Sequence, residues 1–158
     1  MRQIIRRREI VADDWRYADE PGSGPQVLPL AELRALVAAG TASAAGLGVS
    51  LQPTDEADQL ADLLPRLALI VIDFPKSGEG RGFSQARMLR QRLAFRGELR
   101  ARGALKRDQL FLLARCGFDA YDLDPSENLQ ESLAAFADFS VGYQSPPDSG
   151  LRVRLRAG

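Results

Sequence analysis

Leu67-Ala68-Leu69-Ile70-Val71-Ile72-Asp73-Phe74 is an apolar run without alternation, the pattern of a strand buried on both faces inside a parallel sheet. It leads into Pro75-Lys76-Ser77-Gly78-Glu79-Gly80-Arg81-Gly82, a loop by composition. A strand-then-helix rhythm repeats on both sides. Upstream, Gly48–Gln52 reads as a strand. Thr54 can then cap a helix over Asp55–Leu64, with Ala57, Leu60, Ala61 and Leu64 on one face and Pro65 at its end. Downstream, a helix over Phe83–Phe95 carries the stripe Ala86, Leu89 and Leu93. Gly97–Arg102 is a third strand, and Lys106–Cys116 is a helix closed by Gly117. Phe118–Leu123 is a fourth strand. Asp124-Pro125-Ser126-Glu127 then reads as the opening of a last helix whose core face holds Leu129, Leu133 and Phe136.

Four consecutive βα units imply an α/β fold with a parallel sheet. Two architectures satisfy that pattern. A doubly wound sheet buries both strand faces under helices, whereas a half-barrel gathers the helices on one side and leaves the other face more polar. Side chains alternate along a strand, so Glu98, Arg100 and Arg102 share one face and Leu99 and Ala101 the other. Ser50 and Gln52 oppose Val49 and Leu51 in the same way. This parity favours a half-barrel-like sheet. A doubly wound sheet with an edge strand at this position is the alternative.

The remaining segments divide the chain. Residues 1–20 read as an N-terminal arm or hairpin anchored by Ile4, Ile5, Ile10, Val11 and Trp15, with Arg6-Arg7-Arg8 at a turn or on a solvated face. Residues 21–46 are a linker, PGSGP, and a short helix over Leu30–Ala39. Residues 47–141 form the α/β core, and 142–158 a flexible tail or edge strand.

Apolar residues make up 45% of the 158, enough for a real core. The formal charge is zero, so no global field draws the chain to nucleic acid or a membrane, and neither is expected as a partner. The charge is unevenly placed: Lys76–Arg107 carries ten Lys or Arg against two acids, with acidic stretches on either side. An anionic partner is expected to meet that middle region. The absence of histidine excludes a His general base, a Ser-His-Asp triad and a His-ligated metal; no metal site is expected. Cys116, the single cysteine, cannot form an internal disulfide or a CxxC pair. Any redox role would therefore need a carrier on a bound cofactor or a partner, and the sequence names no cofactor. No apolar signal core and no run near ~18 apolar residues is present, so a reducing cytoplasm is the expected location.

In both architectures the site lies at the carboxyl ends of the strands. The loop after Phe74 places Gly80 and Gly82 beside Lys76, Arg81 and Ser84, immediately before a helix start. Glycines allow close ligand approach, and the helix start offers backbone donors and positive potential. With Arg102 and Gln109 from the next unit, these residues describe an anion-binding cradle for an oxyanion or a phosphate group. It matches neither a Walker loop nor a dinucleotide fingerprint, and a solvated βα loop reads equally well from the same residues. Asp73, at the end of a buried strand, and Asp108, in a helix first turn, are the candidate catalytic carboxylates. Strand-end closure and a helix-dipole preference are their plainer roles. Arg87, Arg90 and Arg92 read as the solvated face of their helix.

The pieces Phe74-Pro75, Gly80-Arg81-Gly82, Ser84-Gln85-Ala86-Arg87, Leu89-Arg90, Gly97-Glu98-Leu99-Arg100, Arg107-Asp108-Gln109-Leu110 and Cys116-Gly117-Phe118-Asp119 together resemble the bacterial domain of unknown function 934 family, most densely over Ile70–Asp124. The resemblance implies an accessory role in assimilatory sulfite reduction, with sulfite reductase or another sulfur-assimilation protein as partner. It carries no catalytic residue with it. The alternative is a non-catalytic scaffold or assembly factor whose basic middle docks on an acidic partner such as the reductase. An open inner face and open sheet edges further suggest a homodimer.

Overall fold

Leu67–Phe74 forms a strand whose residues Leu69, Ile70, Val71 and Ile72 are all fully buried. Each such side chain contributes about 1.5–3 kcal/mol relative to exposure. The structure, a computed structural model, describes residues 2–41, 46–76 and 80–142. The expected tail or edge strand beyond residue 142 and the centre of the Gly-rich loop, 77–79, lie outside the described residues.

The strands are β1 (Gln3–Arg6), β2 (Glu9–Ala12), β3 (Arg16–Tyr17), β4 (Gln26–Pro29), β5 (Leu47–Leu51), β6 (Leu67–Phe74), β7 (Glu98–Gly103) and β8 (Ala120–Asp122). They form one sheet in the order β2-β1-β8-β7-β6-β5-β4-β3. β3 to β8 are mutually parallel, with β6 internal between β5 and β7. β1 pairs antiparallel with β2 and with β8, so the sheet as a whole is mixed. The segments expected as an arm (1–20) and as a linker with a short helix (21–46) supply four strands of this sheet.

The helices are α1 (Leu30–Ala38), α2 (Arg81–Arg87), continued by a π-helical turn over Met88–Arg92, α3 (Leu110–Arg115) and α4 (Leu129–Gly142). Leu33, Ala86, Leu89, Leu113 and Phe136 join Ile5, Val49, Leu51, Ile70, Ile72, Leu99, Ala101 and Tyr121 in one apolar core. Strand parity puts those strand residues on a single face of the sheet. The helices therefore pack on one side, which settles the choice against a doubly wound sheet.

The sheet is strongly curled. Tyr17 in β3 donates its hydroxyl hydrogen bond to Asp122 Oδ2 in β8 at 3.0 Å. These strands are five steps apart in the order, roughly 24 Å across a flat sheet at ~4.8 Å per step, far beyond the reach of a tyrosine. An open, curled half-barrel brings them together. Its inner face holds a smaller apolar cluster of Tyr17, Val27, Leu69 and Val71, with Trp15 packed against it. Trp15 lies directly over Gly48, where a Cβ would come within 2.6 Å of the indole ring.

The expected repeat of four βα units does not hold in that form. Between β5 and β6 the chain makes two 3₁₀ turns, Ala57–Leu60 and Leu64–Arg66, in place of an α-helix. Asp55 turns its carboxylate back to accept from the Gln52 N–H at 2.8 Å, and Pro65 sits inside the second turn. The buried residues are Ala57, Leu60 and Leu63, spaced by three as a 3₁₀ period requires. Ala61, placed inward by a 3.6-residue period, is exposed. The last helix also starts later than expected. Asp124 holds a turn by accepting from Ser126 N–H at 2.9 Å, and Asn128 caps α4 by accepting from Glu131 N–H at 2.9 Å.

The Arg6-Arg7-Arg8 run does sit at a turn: Arg7 and Arg8 link β1 to β2 with φ of 51° and 66°, the left-handed pair that a type I′ hairpin requires. Arg90, by contrast, is not on a solvated face. Its Nε donates to the Gly117 carbonyl at 2.8 Å, and its Nη1 to the carbonyls of Phe95 and Gly97, both at 2.9 Å. A helical period assigns it outward, but the turn at Ala94, with φ of 58°, folds the chain back over it. Among the described residues no helix is long and apolar enough to cross a membrane.

The polar inner face of β7 is covered by the chain's own N-terminal segment. Arg100 is fully buried and donates to Asp13 Oδ2 at 3.0 Å, to the Tyr17 hydroxyl at 3.2 Å and to Glu98 Oε2 at 2.8 Å. Removing one partner of such a network leaves buried charge uncompensated. Arg100→Met should destabilise the fold by about 3–5 kcal/mol in urea unfolding. A loss below about 1 kcal/mol would show that this network does not hold the N-terminal segment in place.

Candidate functional site

The carboxyl ends of β5 to β8 present a row of polar side chains on the inner face. Asp73 pairs in register with Arg102, and Arg102 with Asp122. Gln52, directly after β5, donates its amide hydrogen bond to Asp73 Oδ2. The row thus runs Gln52, Asp73, Arg102, Asp122 across four adjacent parallel strands, at the end where parallel sheets place their sites.

Arg102 is one-third exposed, at 35%, whereas Asp73 and Asp122 are each at 16%. Its guanidinium lies over the Tyr17 ring, 3.5 Å from the centroid, and Arg2 also approaches that ring, at 4.4 Å. Stacking on an aromatic face orients a guanidinium while leaving its N–H edges available. The ion pair to Asp73 is long, 3.8 Å from Nη1 to Oδ1. Asp73 is instead held by Gln52, and Asp122 by the Tyr17 hydroxyl.

Burial pushes the Asp73 carboxyl above its ordinary range. The Arg102 charge and the Gln52 amide pull the other way, and Asp122 and Asp55 add to the rise. Asp122 is also raised by burial, against the Tyr17 hydroxyl and the charges of Arg2, Arg100 and Arg102. Burial likewise raises the Tyr17 phenol, so it stays a hydrogen-bond donor. Two carboxyls whose proton affinity is raised, beside an accessible arginine, make a site that can bind an anion and exchange a proton with it.

The residues expected from the sequence distribute unevenly. Asp73 and Arg102 come together in this row. Lys76 is exposed just past the end of β6. Gly80 is exposed at the start of α2 with φ of −89°, a backbone that needs no glycine. Gly82 is a packing residue, since a Cβ there would meet the Phe74 ring at 2.5 Å. Arg81 and Ser84 line a groove of about 340 Å³ that they share with Asp55, Glu56 and Asp58, carboxylates that oppose a second anion. Gln85 is buried beneath that groove and ties α2 to the loop after β5, donating to the carbonyls of Gln52 and Asp55 at 2.9 Å each. Gln109 accepts from Lys106 N–H at 2.9 Å and closes its own turn. Asp108 is exposed on that turn, and among the described residues no ion pair joins it to Arg102.

Sequence reasoning missed Gln52, Asp122 and Tyr17 as site residues. The first two carried a signal: each ends a parallel strand with the inward parity of Asp73 and Arg102. Tyr17 carried none, because only the curl of the sheet brings β3 to β8.

Residues 48–151 match the family described as bacterial protein of unknown function (DUF934). The match extends on both sides of the dense stretch Ile70–Asp124. No curated protein and no solved structure matches the chain.

Two outcomes test this geometry. Gly82→Ala should lower stability by about 1–3 kcal/mol through overpacking against Phe74, while Gly80→Ala, with nothing within 4 Å of its new Cβ, should change it by less than about 0.5 kcal/mol. Equal effects in thermal unfolding would contradict the packing role. The second outcome concerns pH. A carboxyl raised in the folded state binds its proton more tightly there than in the unfolded chain. Asp73 therefore removes stability as pH rises from its unfolded value, near 3.8, through its higher folded value. Relative to wild type, Asp73→Asn should gain stability across that window and hold a constant offset above it. A difference that declines with pH would reverse the assigned direction.

Proposed function

This chain belongs to the DUF934 family of bacterial proteins, and we propose that it is an accessory of assimilatory sulfite reduction whose ligand is a small oxyanion or a phosphate-bearing molecule. The ligand binds at the carboxyl-end mouth of the curled sheet, with Arg102 as its principal cation. The sulfite-reduction part rests on the family resemblance, and the ligand part on the state of Arg102.

That state is the observation that carries the reading. Arg100, two residues earlier on the same face, spends its guanidinium on Asp13, Glu98 and Tyr17 inside the protein. Arg102 is stacked, oriented and one-third exposed, and its ion pair to Asp73 is long. A pre-oriented guanidinium with open N–H edges suits bidentate recognition of an oxyanion. Lys76, at the same end of the sheet, adds positive charge at the rim.

Calorimetric titration of sulfite, hydrogen phosphate and a nucleotide tests the reading. At least one should bind wild type, and Arg102→Ala should weaken it by roughly 1.5–3 kcal/mol, the worth of a hydrogen bond to a charged group. Arg92→Ala, at an exposed helix position, should leave binding unchanged. Absence of binding by all three ligands would sink the reading and favour a scaffold that docks on an acidic partner through its basic middle.

A further inference from the structure

We infer that the mouth at Arg102 selects oxyanions that still carry a proton, such as hydrogen phosphate, over fully ionised ones such as sulfate, because Asp73 faces the same ligand position as a hydrogen-bond acceptor. The inference rests on the oxyanion reading of Arg102 and adds the chemical class of the ligand.

The geometry is a gap between a donor and an acceptor. Arg102 Nη1 and Asp73 Oδ1 are 3.8 Å apart, too far for a direct hydrogen bond. Asp73 Oδ2 is taken by the Gln52 amide, which turns Oδ1 toward the arginine. One hydroxyl oxygen on a ligand can bridge this gap, accepting from Nη1 and donating to Oδ1. A bare oxygen atom can accept from Nη1 but then faces Oδ1 acceptor to acceptor, with no proton between them. Hydrogen phosphate and sulfate share shape and charge and differ by that one proton, so the carboxylate discriminates between ions that size and charge cannot separate. A site built to accept from a hydroxyl rejects the analogue that lacks it, because its own polar group is left unpaired.

The groups facing Asp73 are Arg102 on β7, Gln52 and Asp55 in the segment after β5, and Asp122 on β8. The two neighbouring acids and the burial of Asp73 favour its protonated form. In acid, Asp73 then supplies the missing proton itself and donates to a bare oxygen. Sulfate binding is therefore coupled to uptake of one proton at Asp73, whereas hydrogen phosphate brings its own. No covalent bond forms or breaks.

The test titrates phosphate and sulfate into the full-length protein at about pH 8 and about pH 5. The expected result is phosphate at least roughly tenfold tighter than sulfate at the higher pH, where phosphate is the doubly charged hydrogen phosphate, and sulfate itself, a dianion at both pH values, binding more tightly at the lower pH than at the higher. The heat of sulfate binding should vary with the ionisation enthalpy of the buffer as one proton is taken up. Asp73→Asn, whose amide can donate to a bare oxygen, should bring the two affinities within about threefold at the higher pH. Should that variant fail to fold, the wild-type pH series and buffer dependence decide alone. Equal affinities in wild type at both pH values would overturn the inference while leaving the oxyanion reading intact. If neither anion binds, both are removed.

Discussion

A guanidinium with no exposure to water sits at the centre of β7, and the protein is arranged around the need to neutralise it. Arg100 cannot shed its proton, so burial forces partners upon it. Glu98 comes from its own strand, but Asp13 and the Tyr17 hydroxyl come from the N-terminal segment. To deliver them, residues 13–17 must cross the concave face, which places Trp15 over Gly48 and brings β3 around toward β8. A buried ion network of this kind adds little net stability over an apolar equivalent, but its loss is costly. What it supplies is a single choice among the ways the segment could lie on the sheet.

The next row of the same face shows how position along a strand changes the role of one residue type. Arg100 and Arg102 have the same inward parity on β7. One is sealed beneath Tyr17 and its surroundings, and the other lies at the rim with its guanidinium over the same ring. The carboxylates repeat the contrast. Asp13 is fully covered and serves Arg100 and Arg2, whereas Asp73 and Asp122 stay in reach of solvent and are pushed upward by partial burial. Tyr17 joins the two rows. Its ring floors the site while its hydroxyl accepts from Arg100 and donates to Asp122.

How much the sequence discloses depends on the range of the forces involved. The unbroken apolar run of β6, the alternation of β7 and the parallel pairing of β5 to β8 are local patterns, and they appear in the structure. So do Asp73 and Arg102 as neighbours, since both end parallel strands. The segment after β5 escapes a helical period because the chain there turns by threes under Asp55 and Pro65. Gly82 reads as a ligand-approach glycine, but the Phe74 ring occupies that space. Arg90 reads as solvated, but three backbone carbonyls beyond its own helix claim it. The partners of Arg100 are out of reach for a different reason: nothing local marks Asp13 as the counter-ion of a residue 87 positions later.

The same long-range pairing bears on the extent of the functional unit. The family match spans residues 48–151, which contain Gln52, Asp73, Glu98, Arg100, Arg102 and Asp122. It omits Arg2, Asp13, Tyr17 and Glu20. Among the described residues of the matched stretch Arg100 would retain Glu98 alone as a direct counter-ion, Arg102 would lose the ring on which it stacks, and Asp122 would lose the hydroxyl that donates to it. Leu69 and Val71 would lose their apolar neighbours Tyr17 and Val27 on the concave face as well. A buried guanidinium and a strand apolar on both faces do not tolerate that exposure. In this chain the unit that satisfies its own charges and covers its own sheet therefore includes residues from Arg2 onward, and the arginine at the mouth is as much a product of the N-terminal segment as of the strand that carries it.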